Sequence, residues 1–170
     1  MQFDAPRPRS LGVTPWPRVR LAVSGRALSL LATSAVGAFA FAMYAATLAP
    51  TVMWYDMGEF GTTSATLGIA HNTGYPLLIL IGKAFTFLPV GDTAYRVNLM
   101  SAVFTALSIA VVFGIIHDLT DDIIASAAGA LTLAFASTVW ANATWATSYG
   151  LNLFFTALIT RLMLSWWRDR

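Results

Sequence analysis

The sequence predicts an all-α, polytopic membrane protein, and two observations carry that prediction. Of its 170 residues, 57% are apolar and only 11% charged, where soluble domains carry roughly 25% charged residues. The apolar residues also fall into blocks near the length needed to cross a bilayer, parted by short polar segments. A third observation, arginines gathered at both chain ends, bears on topology. The net charge is only +2, and the basic residues show no pattern suited to nucleic acid. Cysteine is absent, which excludes disulfides, thiolate metal sites and thiol nucleophiles.

Residues 1–26 are polar, contain proline, and hold Arg7, Arg9, Arg18, Arg20 and Arg26. They are read as a largely disordered cytoplasmic tail. Ala27–Ala49 follows without a charge; about 23 residues at 1.5 Å each reach across a ~30 Å hydrocarbon core. The block is too long for a signal-peptide core and its basic leader too long for the usual leader, so it reads as a signal anchor. The membrane domain, residues 27–170, is expected to cross at about 27–49, 97–116, 123–141 and 149–167, with an outer loop over 50–96. Charge decides against a fifth span at Gly74–Val90. That block is bounded by Pro76 and Pro89 and centred on Lys83, and a charge at mid-bilayer costs about 2.5–3.5 kcal/mol on insertion scales. Arg161, Arg168 and Arg170 pull the carboxyl end to the cytoplasm as the amino-terminal arginines pull the other, which requires an even number of spans. Gly74–Val90 is therefore expected to lie at the outer interface or to dip in and back, and His117–Asp122 to lie in water between the second and third spans.

The segment "PTVMWYDMGEF", Pro50 to Phe60, sets two of the chain's eight acidic residues beside Trp54 and Tyr55, directly after the first span. A helix over Tyr55–Ser64 would put Asp56, Glu59 and Thr63 on one face, with Asp56 near the amino end, where the peptide dipole favours an anion. Two readings are open. The acids are solvated head-group residues beside an aromatic belt, or one is a general base for a reaction on a lipid-borne substrate. "GIAHNTGYP", Gly68 to Pro76, is a turn. It offers His71 as a surface residue or a donor to a phosphate oxygen, and Tyr75 as a further substrate-binding candidate. Asp92 suits the amino cap of the helix entering the second span. Arg96 either pairs with Asp92 or meets a lipid phosphate, and Lys83 is the other base in the outer loop. In "VWANATWATSYGLN", Asn142, Thr144, Thr147, Tyr149 and Asn152 are sugar-binding groups or ordinary loop residues.

The runs "LAPTVMWYDMGEF" and "AHNTGYPLLILIGKAFTFLPVGDTAYRVNLMSAVFTAL" resemble the amino-terminal part of a family of multi-spanning proteins, formerly a domain of unknown function. It includes the transmembrane O-mannosyltransferase of plexin-type ectodomains and bacterial relatives. More broadly the chain is similar to GT-C glycosyltransferases, which take sugar from a polyprenyl-phosphate carrier. The resemblance implies Asp56 as base or orienter for the acceptor, with Glu59 as companion, and His71 as the residue meeting the carrier phosphate. Two positions depart from the pattern. Asn72 and Thr73 replace two prolines after the histidine, and Thr147 replaces a glutamate before Tyr149, Leu151 and Asn152.

The expected function is thus sugar transfer from a polyprenyl-phosphate carrier to a hydroxyl of a protein or glycan acceptor, on the outer face, by an amino-terminal piece of an inverting, mannosyltransferase-like enzyme. Catalysis is assigned to Asp56 and Glu59, and substrate binding to His71, Lys83, Arg96, Tyr75, Tyr149 and Asn152. No cofactor is required, although Asp56 and Glu59 are compatible with a divalent cation. The expected location is a plasma or bacterial inner membrane with both termini cytoplasmic. The alternative is a non-catalytic membrane subunit or a lipid- or sugar-binding module.

Overall fold

The structure, a computed structural model, describes residues 25–54 and 56–168. Arg7, Arg9, Arg18, Arg20, Tyr55 and Arg170, and with them residues 1–24 of the expected tail, lie outside the described residues; Gly25 and Arg26, expected in that tail, begin the first helix. In chain order the helices are α1 (Gly25–Ala46), α2 (Met57–Thr66), α3 (Pro76–Phe85), α4 (Thr93–Thr120), α5 (Ile123–Ala134), α6 (Ser137–Ala143) and α7 (Tyr149–Arg168).

The 28-residue α4 is the axis, and its start is fixed locally. Asp92 caps it, accepting from Tyr95 N at 2.7 Å, as expected of a short acidic side chain at this position. Around α4 the other helices take defined directions. α1 runs antiparallel to it: Gly37 lies against Ala110, and Ala49 N, just beyond α1, donates to Thr144 O at 2.9 Å. α7 runs parallel to it. Gly150 packs on Ser101 and Thr105 at one end, and Arg161 pairs with Asp118 at 3.0 Å at the other. Asp122 caps α5, accepting from Ile124 N and Ala125 N, and turns it back along α4. α4 runs on through His117 to Thr120, so the expected polar connection narrows to Asp121 and Asp122; Gly25, this 121–122 turn and Arg168 thus share one end of the bundle. The 47–92 and 144–148 segments share the other.

α1 and α4 are long and apolar enough to cross a membrane, and α5 with α6 makes a third crossing if that pair is one broken span. The block expected to span 123–141 bends by 68° between α5 and α6, because Ala136 is extended (φ −59°, ψ 129°) and ends the helical run. α7 has the length but is not among these apolar helices. The ten residues of α3 reach only about 15 Å, half the hydrocarbon thickness. α2 and α3 instead lie over the start of α4. Gly61 approaches Ala94, while Phe60, Leu78, Ile79, Val97 and Met100 form a small core beneath.

One polar side chain holds this end together. Asn98 is fully buried. Its Nδ2 donates to Ala49 O and its Oδ1 accepts from Ala146 N, each at 2.9 Å. Removing it strands the buried Ala146 amide, at a cost of about 1–3 kcal/mol, and frees a half-buried carbonyl at Ala49. Asn98→Ala is therefore expected to lower the melting temperature in detergent by roughly 2–4 °C for each kcal/mol lost; an unchanged melt would show that neither loop hangs from this amide.

Candidate functional site

α2 begins at Asp56, its N-cap residue, and its end sends the chain back toward its beginning. Leu67 adopts a left-handed conformation (φ 56°) that stops the helix. Gly74, at φ 83°, closes a turn by donating to His71 O at 2.7 Å. This return brings His71 against the first turn of α2. Both oxygens of Glu59 are taken up there: Oε1 accepts the His71 backbone N–H at 2.6 Å, and Oε2 lies 2.7 Å from His71 Nδ1. The imidazole is flanked by Tyr75, with ring centroids 5.3 Å apart, and by Phe60 at 5.8 Å.

The contacts polarise both groups. Hydrogen bonds from the His71 side chain and backbone hold the Glu59 carboxyl below its ordinary value. The bond to Glu59, with the nearby charges of Glu59 and Asp56, raises the imidazole above its own. Asp56 differs: it is exposed and its side chain caps no helix amide. Ligand-capable atoms of Asp56, Glu59 and His71 lie within 4.8 Å of one another.

Asp56 opens onto a cavity of about 340 Å³, also lined by Met57, Asn142, Trp145, Ala146, Thr147 and Tyr149. Its far wall hangs from α4. Asn98 holds Ala146, and Ser101 Oγ accepts from Thr147 N at 3.2 Å. Thr147 Oγ1 in turn donates to Asn142 O at 3.3 Å.

Of the residues expected from sequence, Asp56, Glu59, His71 and Tyr75 come together, and Tyr149 faces Asp56 across the cavity. Asn152 lines a neighbouring cleft. Lys83 and Arg96 stand apart. Lys83 Nζ donates to Ala65 O at 2.6 Å, at the far end of α2, and sits 5.4 Å over the Phe87 ring. The Arg96 guanidinium donates to the carbonyls of Val90, Thr86 and Gly91 at 2.7, 2.8 and 3.0 Å, and it acts on Asp92 through charge alone, adding to the Thr51 and Tyr95 hydrogen bonds that hold that carboxyl below its ordinary value. Asp92 instead accepts from Thr51 Oγ1 at 2.5 Å. Sequence reasoning missed Asn98 and Ser101 as the supports of the cavity wall. The available signal was a polar side chain inside an apolar block.

Fold and site together define a helical membrane protein whose carboxylate–imidazole cluster lies on the segment between two apolar helices. Residues 56–170 match the family described as the protein O-mannosyl-transferase TMEM260 N-terminal domain, and the chain belongs to that family. The mouse protein O-mannosyl-transferase TMEM260 is 30% identical over 152 residues, which cover 89% of this chain and 20% of the mouse protein. The chain therefore spans about a fifth of the length of that relative. No solved structure matches it.

The Glu59–His71 pair sets a pH window. The imidazole is raised, so its contribution is complete below 6.5 and is lost as pH climbs through the higher folded value. The carboxyl is lowered, so its contribution is present above 4.5 and is lost as pH falls through the lower folded value. Titration of the His71 ring by NMR is expected to give a midpoint above 6.5, falling back in Glu59→Gln. A midpoint indifferent to Glu59→Gln would mean that the pair does not form.

Proposed function

We propose that this chain carries the reaction site of a glycosyltransferase that moves a hexose, mannose by analogy with the relative's name, from a polyprenyl-phosphate carrier to a hydroxyl of a protein or glycan acceptor on the outer side of the membrane. The observation that carries the reading is the state of the two carboxylates. Glu59 is committed to His71 through both oxygens, whereas Asp56 has no such bond and faces an open cavity. Asp56 is thereby the group able to take a proton, and Glu59 with His71 is its positioning pair. The acceptor oxygen attacks the anomeric carbon, the bond from that carbon to the carrier phosphate breaks, and the phosphate leaves as a stable anion. The acceptor proton passes to Asp56, and the anomeric centre inverts. No cationic side chain is among the cavity's lining residues, and the donors of Lys83 and Arg96 rest on carbonyls, so the leaving phosphate is assigned to neither.

The site end of the bundle is taken as the outer one. Because the chain lacks cysteine, a single introduced thiol reports sidedness. Thr62→Cys, exposed in α2, is expected to react with an impermeant maleimide added outside intact cells, and Asp121→Cys, at the opposite end, only after permeabilisation. The reverse pattern would put Asp56 in the cytoplasm and end the transfer reading.

Asp56→Asn is expected to lower turnover of polyprenyl-phosphate mannose and a serine-bearing peptide by about 10²–10⁴, with membrane expression retained. Wild-type turnover in this variant would favour a non-catalytic sugar- or lipid-binding module. Transfer is expected to be indifferent to EDTA. Loss on chelation with recovery on Mg²⁺ would instead place an ion among Asp56, Glu59 and His71.

A further inference from the structure

A second cleft, about 290 Å³, lies between α4, α6 and α7 and shares Asn142 and Tyr149 with the Asp56 cavity. None of its lining residues is charged. Its walls are mainly carbon, broken by a few neutral polar groups, among them Thr105, Asn152, Tyr149 and Thr156. That lining is typical of a small-ligand pocket, and the volume falls just short of the usual range of about 300–1,000 Å³.

Thr105 is the unusual member. It is 2% exposed, and its hydroxyl has no hydrogen-bond partner. Thr33, Thr63, Thr120, Thr132 and Thr160 each donate to the carbonyl four residues earlier; Thr105 does not. A buried hydroxyl left alone destabilises the free protein, and a ligand oxygen relieves this. Threonine in a helix has two χ1 wells, so the hydroxyl can turn to a ligand without backbone movement. Gly150 keeps that possibility open. A Cβ there would come within 2.7 Å of Thr105 Oγ1 and 2.9 Å of Ser101 O, closing the inner wall.

We infer that this cleft binds the uncharged hexose ring in transit, through Thr105, Asn152 and Tyr149, beside the Asp56 cavity. The inference deepens the transferase reading and rests on it. A hexose ring presents apolar C–H faces and a rim of hydroxyls, which the carbon walls, the Tyr149 ring and the neutral amide and hydroxyl groups match. A phosphate would meet no cation here, and a prenyl chain would leave Thr105 unpartnered.

The test uses the whole chain in detergent with methyl α-mannopyranoside, read by saturation-transfer NMR. Thr105→Val keeps the shape and removes the hydroxyl, and is expected to weaken binding roughly tenfold. Thr105→Ser is expected to bind as the wild type does. In the transfer assay Thr105→Val should raise KM for the donor with kcat little changed, the opposite of Asp56→Asn. Equal mannoside affinity in wild type and Thr105→Val overturns the inference, and leaves the Asp56 reading standing if Asp56→Asn is still inactive. A thiol at the rim, Thr156→Cys, supplies a second readout independent of turnover. Its protection from maleimide by the mannoside supports the sugar site, even if Asp56→Asn proves active; protection by farnesol alone, or by neither, overturns it.

Discussion

One buried amide sets the geometry on which the rest depends. Asn98 sits buried in α4 and makes bonds to both sides, to the loop after α1 and to the loop before α7. An amide in such surroundings is tolerated only when its donor and acceptor are satisfied, so the two loops are held in fixed register on one face of α4. Ser101 repeats the device one turn on, gripping Thr147. The cavity wall opposite Asp56 is therefore referenced to the central helix α4 rather than to its own loop.

Two acidic residues three apart end up in opposite chemical situations. The chain reversal at Leu67 and Gly74 lays His71 along Glu59, and a carboxylate that accepts two hydrogen bonds is stabilised in its charged form. Asp56, at the amino end of α2, makes no such hydrogen bond there and opens onto the cavity. Two carboxylates with separate tasks, divided by their surroundings, are a recurrent arrangement in acid–base sites.

The broad class of the fold was legible because composition and block length are properties of the chain alone. So was the cap at Asp92, which depends on three neighbouring residues. The nearness of Asp56 to Glu59 followed from helical spacing, and their kinship to the transferase family from the motif around them. The engagement of Glu59 by His71 did not, because it depends on a reversal twelve residues long. Lys83 and Arg96 rest on backbone carbonyls, which the sequence did not foretell, for a physical reason. Near the ends of short helices, carbonyls without helical partners attract cations, and nothing in a sequence distinguishes a base that closes a loop from one that waits for a phosphate. The break at Ala136 was hidden by uniform apolarity, since the residues on either side suit an unbroken helix as well.

That break gives α1 a part beyond anchoring. Where a helix is interrupted away from water, its freed backbone groups must find protein partners. Here Tyr44 reaches across from α1 to the Ala134 carbonyl at 2.9 Å, while Trp140 beyond the bend returns a bond to Thr47 at 3.1 Å. The first helix and the residue just beyond it thus cover the discontinuity, matched to it by two side chains. A generic hydrophobic leader of equal length could deliver the chain to the membrane, but it would leave the fracture unplugged and the wall that α6 contributes to both clefts without its backing.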